Sequence, residues 1–446
     1  QSECPFRRDV PHRETSPRES VENSVALQKE ARGWRPTGSQ IQQTSAQRIT
    51  QPEASQHETL TLSQLEATAF RHNPTLARAG ARMQAAQGRQ VQAGLYPNPV
   101  VGYHATEAGN RGTAGQQGGF VSQRLITAGK LHLDQEIVRK EIDEAHFRFH
   151  EQELRVLSDV RVRFYDALVA QRRLELTQEL ARIGDELESA TKTLLKSGLG
   201  TENDLLQAGI RADESRILFD NASNQQVEAW RRLAAVVGLP QMPLAPLAGK
   251  LDSELPQLDW ESCSEAVLGS HPELHAAQAR LDRAAVVIER ARVEPIPNVD
   301  LSVSVRRHTI TDSDVANVQL GIPIPIFDRN QGNISAAEAE WIAASKEVER
   351  IELELQDRLA VAYRRYSNAR QQAERYGKRM VPRAKKSLEL VTDGYEKGQV
   401  EYLTLLTAQQ TFVQVNLSYL DSLRELRAAS ALIDGQLLTN SLADRK

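Results

Sequence analysis

Along most of this chain apolar residues recur every three or four positions, the spacing of amphipathic helices; in two places the period drops to two. After Pro297, Val299, Leu301, Val303 and Val305 alternate with Asp300, Ser302, Ser304 and Arg306. Beyond a polar turn at 308–314, Val318, Leu320, Ile322 and Ile324 alternate with Asn317, Gln319 and Gly321. This pattern predicts a β-hairpin, about 298–326, with one apolar and one wet face. A weaker alternation at Val100–Thr106 and Phe120–Ile126, joined by a Gly-rich loop at 107–119, predicts a second hairpin at about 98–126.

The helical stretches are long. Between Leu131 and Lys196 there is no proline and one glycine, Gly184. Val160, Phe164, Ala167 and Leu174, then Leu180, Ile183, Leu187, Ala190 and Leu194, form a stripe of coiled-coil type. At ~1.5 Å per residue this helix is about 100 Å long. A second runs from about Ile334 to Glu396, with Ala362, Tyr366, Ala369, Ala373, Tyr376 and Met380 on its stripe; Pro382 should bend or split it. Return helices are expected at about Glu202–Val237 and Tyr402–Leu438. The many alanines on these stripes allow close helix packing around a wide opening.

Shorter helices precede each hairpin. Ser63 with Glu66 fits a capping box for a first helix. Asn73-Pro74 then supplies an N-cap and a first-turn proline for a second, carrying Leu76, Ala79, Met83, Ala86 and Val91. These landmarks recur. His271-Pro272 lies 272 − 74 = 198 residues after Asn73-Pro74, and Pro295 lies 295 − 97 = 198 after Pro97. The segment KSGLGTENDLLQA at 196–208 returns as KGQVEYLTLLTA at 397–408, with Gly398 − Gly198 = 200. The chain therefore reads as a tandem duplication, 58–250 and 251–440, joined near Pro240–Pro256. Each copy ends its long helix in a tight tip, about 196–204 and 397–404, where glycine can take the left-handed geometry that stops a helix. Residues 1–57, rich in Arg, Glu, Gln, Ser and Pro, are expected to be a disordered tail.

Composition narrows the function by exclusion. A formal net charge of −4 gives no reason to expect nucleic acid. The ten histidines and two cysteines form no metal-ligand spacing, so neither a metal nor a cofactor is expected. Cys263 reads as a small buried apolar residue. Cys4 follows Glu3, which does not suit a lipoprotein cleavage site, so it is taken as an incidental thiol. No nucleophile elbow, phosphate loop or dinucleotide fingerprint occurs, and the acids lie at helical spacing beside Arg and Lys; an enzyme is not expected. No apolar run is long enough for a membrane helix, which leaves a β-barrel open. Four strands cannot close a barrel, and open edges are not tolerated in lipid, so copies must pool: two give eight strands, three give twelve.

These features resemble the TolC-like outer-membrane efflux proteins over about Leu60–Leu438. The likeness rests on the duplicated hairpins, the Asn-Pro and His-Pro helix starts, and the paired tips; GLYPNP (94–99) and IPIPIFDRNQG (322–332) are most similar to the heavy-metal, CzcC-like branch. The fold class it implies is mainly α with a small β part: a trimeric α-barrel tunnel continuous with a twelve-stranded transmembrane barrel in the outer membrane, most of the chain being periplasmic. The implied function is a passive conduit, for heavy-metal cations or drugs, fed by an inner-membrane pump of RND type through a periplasmic adaptor (membrane fusion protein). The resemblance places adaptor docking at Gly198, Leu199, Gly200 and Thr201, and at Gly398, Gln399, Val400 and Glu401. In the TolC pattern the periplasmic mouth is closed by aspartates six and nine residues after the second tip glycine. Here those positions are Thr404 and Thr407, so that acidic ring is absent; Asp204 keeps a family position and is the remaining candidate gate residue, unless it is only a first-turn acid favoured by the helix dipole. The rivals are a periplasmic coiled-coil scaffold or adaptor without a pore, which would lack the duplication and paired hairpins, and a filament, which would lack the switch to period two.

Overall fold

A computed structural model describes residues 59–109, 114–198, 200–253, 256–397 and 399–443. The expected tail at 1–57 and Cys4 lie outside the described residues. The order is α1 (Leu62–His72), α2 (Pro74–Ala93), β1 (Val100–Thr106), β2 (Gln116–Leu125), α3 (Lys130–Lys196) and α4 (Glu202–Val237). It is followed by α5 (Trp260–Ser270), α6 (Pro272–Val293), β3 (Val299–His308), β4 (Ser313–Gly321), α7 (Gln331–Arg375), a π-helical turn (Tyr376–Met380), α8 (Val381–Glu396) and α9 (Tyr402–Asp434).

The 67-residue α3 is the spine. It packs against α2, α4, α6 and α9, while α7 packs on α6 and α9. Two short helices therefore lie end to end beside each long one, and the two joints are built alike. Asn73 caps α2 by accepting from the Thr75 amide at 2.9 Å, and its side-chain amide donates to Val236 O, at the end of α4, at 2.7 Å. His271 caps α6 by accepting from the Glu273 amide on Nδ1 at 3.2 Å, while Nε2 donates to Gln436 O, just beyond α9, at 2.8 Å. One side chain thus starts one helix and ties down the end of another. At the first joint Gly238 has φ +88°, and a Cβ there would fall 2.5 Å from His72 O, so only glycine fits.

His271 is fully buried, and both ring nitrogens are committed in the neutral form. Burial pushes its pKa below the ordinary 6.5; the Gln436 carbonyl and the Glu273 and Glu151 carboxylates oppose this, and Arg358 reinforces it. A depressed folded pKa means the joint is at full strength above 6.5 and weakens as pH falls below it, because the unfolded chain takes up the proton more readily. The melting temperature should therefore drop between pH 7.5 and 5.5. His271→Asn, copying the other joint, should flatten that drop; an unchanged slope would remove His271 as its cause.

The main core joins both halves: Leu65, Val156, Phe164, Leu168, Leu233, Leu355, Tyr366 and Leu426 pack in one cluster. The Tyr366 hydroxyl donates to Pro256 O at 2.7 Å, anchoring the linker between the halves. Cys263 is buried there, as its apolar neighbours require.

Several expectations need correction. The first helix is capped by Thr61 with Gln64, not by Ser63 with Glu66; the Glu66 carboxylate instead accepts from Arg161 at 2.7 Å. The α2 stripe stops before Val91, which is 67% exposed. On α3 the buried position near the tip is Thr191 rather than Ala190, and on the second long helix the stripe ends at Ala373, leaving Met380 exposed. Pro382 does interrupt that helix, but through the five-residue π turn that precedes it, with proline in the first turn of α8, where no amide is needed. Gly377 in that turn packs against Tyr419, whose ring a Cβ would meet at about 3 Å. Helix α9 ends at Asp434, and the buried Gln436–Leu438 turn replaces its expected last residues.

Candidate functional site

The functional surfaces lie at opposite ends of α3, some 100 Å apart at ~1.5 Å per residue. At one end the four strands form a single antiparallel sheet in chain order, with β1 and β4 as open edges. Directly opposed residues share a face, so the register defines both faces. One cross-strand row is Val101, Val121, Val303 and Val318; its neighbours include Tyr103, Val305, Leu301 and Leu320. That apolar face spans both halves and is uncovered: Val101 is 74% exposed and Val318 73%. The opposite face carries Ser302, Ser304, Asn317 and Gln319, the Arg124–Asp300 ion pair at 2.7 Å, and Arg306, which donates to Thr106 Oγ1 at 3.3 Å.

Strand β2 begins at Gln116, four residues before the expected start, and Ile126 lies beyond its end. Gly118 and Gly119 were expected in a loop, yet they lie within the ladder. A Cβ on Gly118 would sit 1.9 Å from Val305 O, so glycine permits the close approach of β2 to β3. Ile322 and Ile324 lie past the end of β4, because Pro323 and Pro325 cannot continue the ladder.

Between sheet and helices sits a joint that no local motif announces. The Lys130 side chain, 3% exposed, donates to Glu294 O at 3.0 Å and Ile296 O at 2.7 Å. It also reaches Asn298 Oδ1 at 3.4 Å and the Glu294 carboxylate at 3.6 Å. The residues entering α3 and α7, Gly129 and Asn330, both take left-handed φ (66° and 59°), and Asn330 ties back to Ala291 O at 2.8 Å.

At the other end, Gly198 has φ +74°, as a helix-stopping glycine requires, and Gly200 N donates to Leu194 O at 3.2 Å. Thr201 caps α4 in a reciprocal box with Asp204: Asp204 N donates to Thr201 Oγ1 at 3.2 Å, and Thr201 N to Asp204 Oδ2 at 3.1 Å. In the second tip Gln399 N donates to Gly394 O at 2.8 Å, Val400 packs on Gly394, and Glu401 caps α9 without a side-chain bond. Leu199 and Gly398 lie outside the described residues. Both tips sit side by side, because Ala208 of α4 packs with Tyr402 and Leu406 of α9 and with Tyr395 of α8. The Tyr395 and Tyr402 rings are 5.9 Å apart, and burial, assisted by the Asp204 carboxylate, raises both phenol pKa values. Thr404 and Thr407 are exposed; the Thr407 hydroxyl bonds back to Leu403 O, and Asp204 bonds to Thr201 within its cap. These bonds do not join the three candidate gate residues to one another.

A family model described as "Outer membrane efflux protein" matches residues 67–239 and 264–434. The chain is 26% identical over 383 residues to the cobalt-zinc-cadmium resistance protein CzcC of Cupriavidus metallidurans, covering 84% of this chain and 89% of that one. It is 25% identical to the nickel and cobalt resistance protein CnrC of the same organism, over 63% and 67% of the two chains. Among solved structures it is similar to the outer-membrane channel OprN (TM-score 0.71, 19% identity, 86% and 91% covered). It is also similar to the outer membrane protein VceC of Vibrio cholerae (TM-score 0.69, 17% identity, 84% and 95% covered).

Proposed function

The chain belongs to the outer membrane efflux protein family, and from that premise we propose that three copies form a passive export conduit through the outer membrane. The observation that carries this reading is the open four-stranded sheet, with an uncovered apolar face and two unpaired edges. An apolar face of that extent is stable against lipid, and open edges in lipid must be paired. Three copies edge to edge close twelve strands, an even number, with the serine- and asparagine-rich face lining water. The strands of nine and ten residues, β2, β3 and β4, match the length a tilted membrane strand needs.

The helices continue the barrel as a tunnel toward the tips at Gly198–Thr201 and Gly398–Glu401, which dock a periplasmic adaptor. The adaptor joins the conduit to an inner-membrane pump of RND type, which supplies the energy and selects the cargo. The metal-resistance names of CzcC and CnrC support heavy-metal cations as one cargo class; drugs are the other class such pumps deliver. Detergent-extracted protein added to a planar bilayer, with its mass measured in parallel, tests the conduit. Discrete conductance steps from a trimer are expected, and a protein soluble without detergent and electrically silent would overturn it in favour of a scaffold.

The tips also hold the gate. Asp204 caps α4 in the first tip, near enough to Tyr395 and Tyr402 of the second hairpin for its charge to raise their pKa values, and its carboxylate is the gate group of this reading. Asp204→Ala should raise single-channel conductance. Thr201→Ala removes the cap, at about 1 kcal/mol, while keeping the charge; an equal rise in both variants, or none in the first, would take the gating role from the carboxylate.

A further inference from the structure

The α2, α3 and α6 helices, with Ala443 of the C-terminal segment, line a groove of about 870 Å³ that carries seven arginines and four glutamates; Gln152 and Arg155 in its wall donate to the Ser441 and Thr439 carbonyls of that segment. Three of the arginines, Arg78, Arg82 and Arg89, come from α2, which has no acidic residue. The four carboxylates are already shared. Glu144 serves Arg280 at 2.9 Å, Arg148 at 3.2 Å and Arg283 at 3.9 Å. Glu151 serves Arg148 and Arg155, and Glu141 pairs with Arg89. Glu273 also pairs with Arg358, outside the groove, at 3.0 Å. Arg82 makes no ion pair among the described residues and is exposed. Seven arginines against four glutamates leave the groove an excess of positive charge even when every acid is paired.

The groove faces away from the outer layer of the molecule. Gln152, in its wall, and Arg161, which holds Glu66 of α1, are nine residues apart on α3, about half a turn at ~100° per residue. Arg155 and Phe164 stand in the same relation, and Phe164 and Leu168 pack beneath Gly249 of the linker. The layer of α1 and the linker thus lies on the opposite side of α3. Twelve helices in a ring at ~10 Å spacing have a radius of about 19 Å; three copies of that layer placed inside would fill the opening. The layer must be outside, and the groove inside.

We propose that this groove is an anion-binding station in the tunnel wall, which takes oxyanionic solutes (carboxylate or phosphate groups) and gives the conduit a preference for anions. The assignment rests on the conduit reading above. Guanidinium groups match carboxylate and phosphate oxygens bidentately, and three grooves at one level form a cationic collar. The barrel's wet face agrees: Arg124 is neutralised by Asp300, whereas Arg306 is bonded to a threonine hydroxyl and, among the described residues, to no carboxylate. A free divalent cation would cross this collar against the field, so metal cargo passes more readily as an anionic complex.

The test is the reversal potential in a planar bilayer under a low-salt KCl gradient, with citrate as the oxyanion probe. The wild type should favour chloride, and millimolar citrate should reduce its current. Arg82→Glu, which alters the collar by two charges per copy, should reverse the preference and abolish the citrate effect without changing trimer mass or melting temperature. A conducting wild type that favours potassium, or selectivity identical in Arg82→Glu, would overturn the proposal. If no steps are seen, the conduit reading falls first. Calorimetry of citrate on the detergent-held trimer then decides the groove: binding lost in Arg82→Glu supports it, and no binding to the wild type overturns it.

Discussion

Val303→Arg will keep this protein out of the membrane, whereas Ser302→Arg, one residue earlier on the same strand, will not. Val303 lies in the middle of the row Val101, Val121, Val303 and Val318, and Ser302 in the row Val100, Ser122, Ser302 and Gln319 on the other face. If the apolar face meets lipid, an arginine at its centre costs ~2–4 kcal/mol per copy, and three copies insert together. The same arginine at Ser302 projects into water. The expected result is loss of membrane-extracted trimer and of conductance for Val303→Arg, with both retained for Ser302→Arg. Equal behaviour of the two variants would show that the faces are not divided between lipid and water.

That two-faced sheet was legible in the second half of the chain because six apolar residues of β3 and β4, Val299, Leu301, Val303, Val305, Val318 and Leu320, alternate there with few exceptions. In the first half the same sheet hides behind glycines. Gly118 and Gly119 read as loop residues from sequence alone, and their reason for being in β2 is the backbone of β3, about 185 residues away, which no local pattern reveals. Helix starts were readable where chemistry is local: Asn73-Pro74 and His271-Pro272 each hold their cap within two residues. Ser63 misled because Thr61 and Gln64 form an equally good box two residues earlier, and Glu66 was drawn away by Arg161 on another helix. Pro382 announced an interruption but not its form: the π turn before it packs Gly377 against Tyr419 across the hairpin, a contact no local pattern reveals. At the tips, glycine signalled the stop, whereas the Tyr395–Tyr402 contact with Ala208 depends on two hairpins meeting. The groove arginines were invisible as a site for the same reason: α2, α3 and α6 bring them together from segments up to about 200 residues apart.

The joint at Lys130 is the clearest case of a residue whose importance only the fold discloses, and its removal should cost more than that of any partner. The ammonium, 3% exposed, satisfies the carbonyl oxygens of Glu294 and Ile296 where α6 gives way to β3, while its own backbone opens α3 after β2. One side chain thus links the strand–helix transitions of both halves. Two effects could dominate: the ion pair with the Glu294 carboxylate, or the desolvated ammonium with its carbonyl cage. Glu294 is 47% exposed and 3.6 Å away, and Arg290 holds it at 2.5 Å; an exposed pair of that kind contributes ~0–1 kcal/mol. The ammonium itself is buried, and deleting it leaves the Glu294 and Ile296 carbonyls short of a donor, at about 1–3 kcal/mol each, whereas Asn298 Oδ1 keeps the Thr127 amide at 3.2 Å. Lys130→Met, which keeps the hydrocarbon stem, should therefore destabilise the protein by ~3–5 kcal/mol and expose the 294–298 segment to limited proteolysis. Glu294→Gln should cost about 1 kcal/mol or less. Melting both variants in detergent separates the two effects: a comparable loss in Glu294→Gln would make the carboxylate the anchor, and a mild Lys130→Met would mean that water reaches the cage and the transition is held by the strand ladder instead.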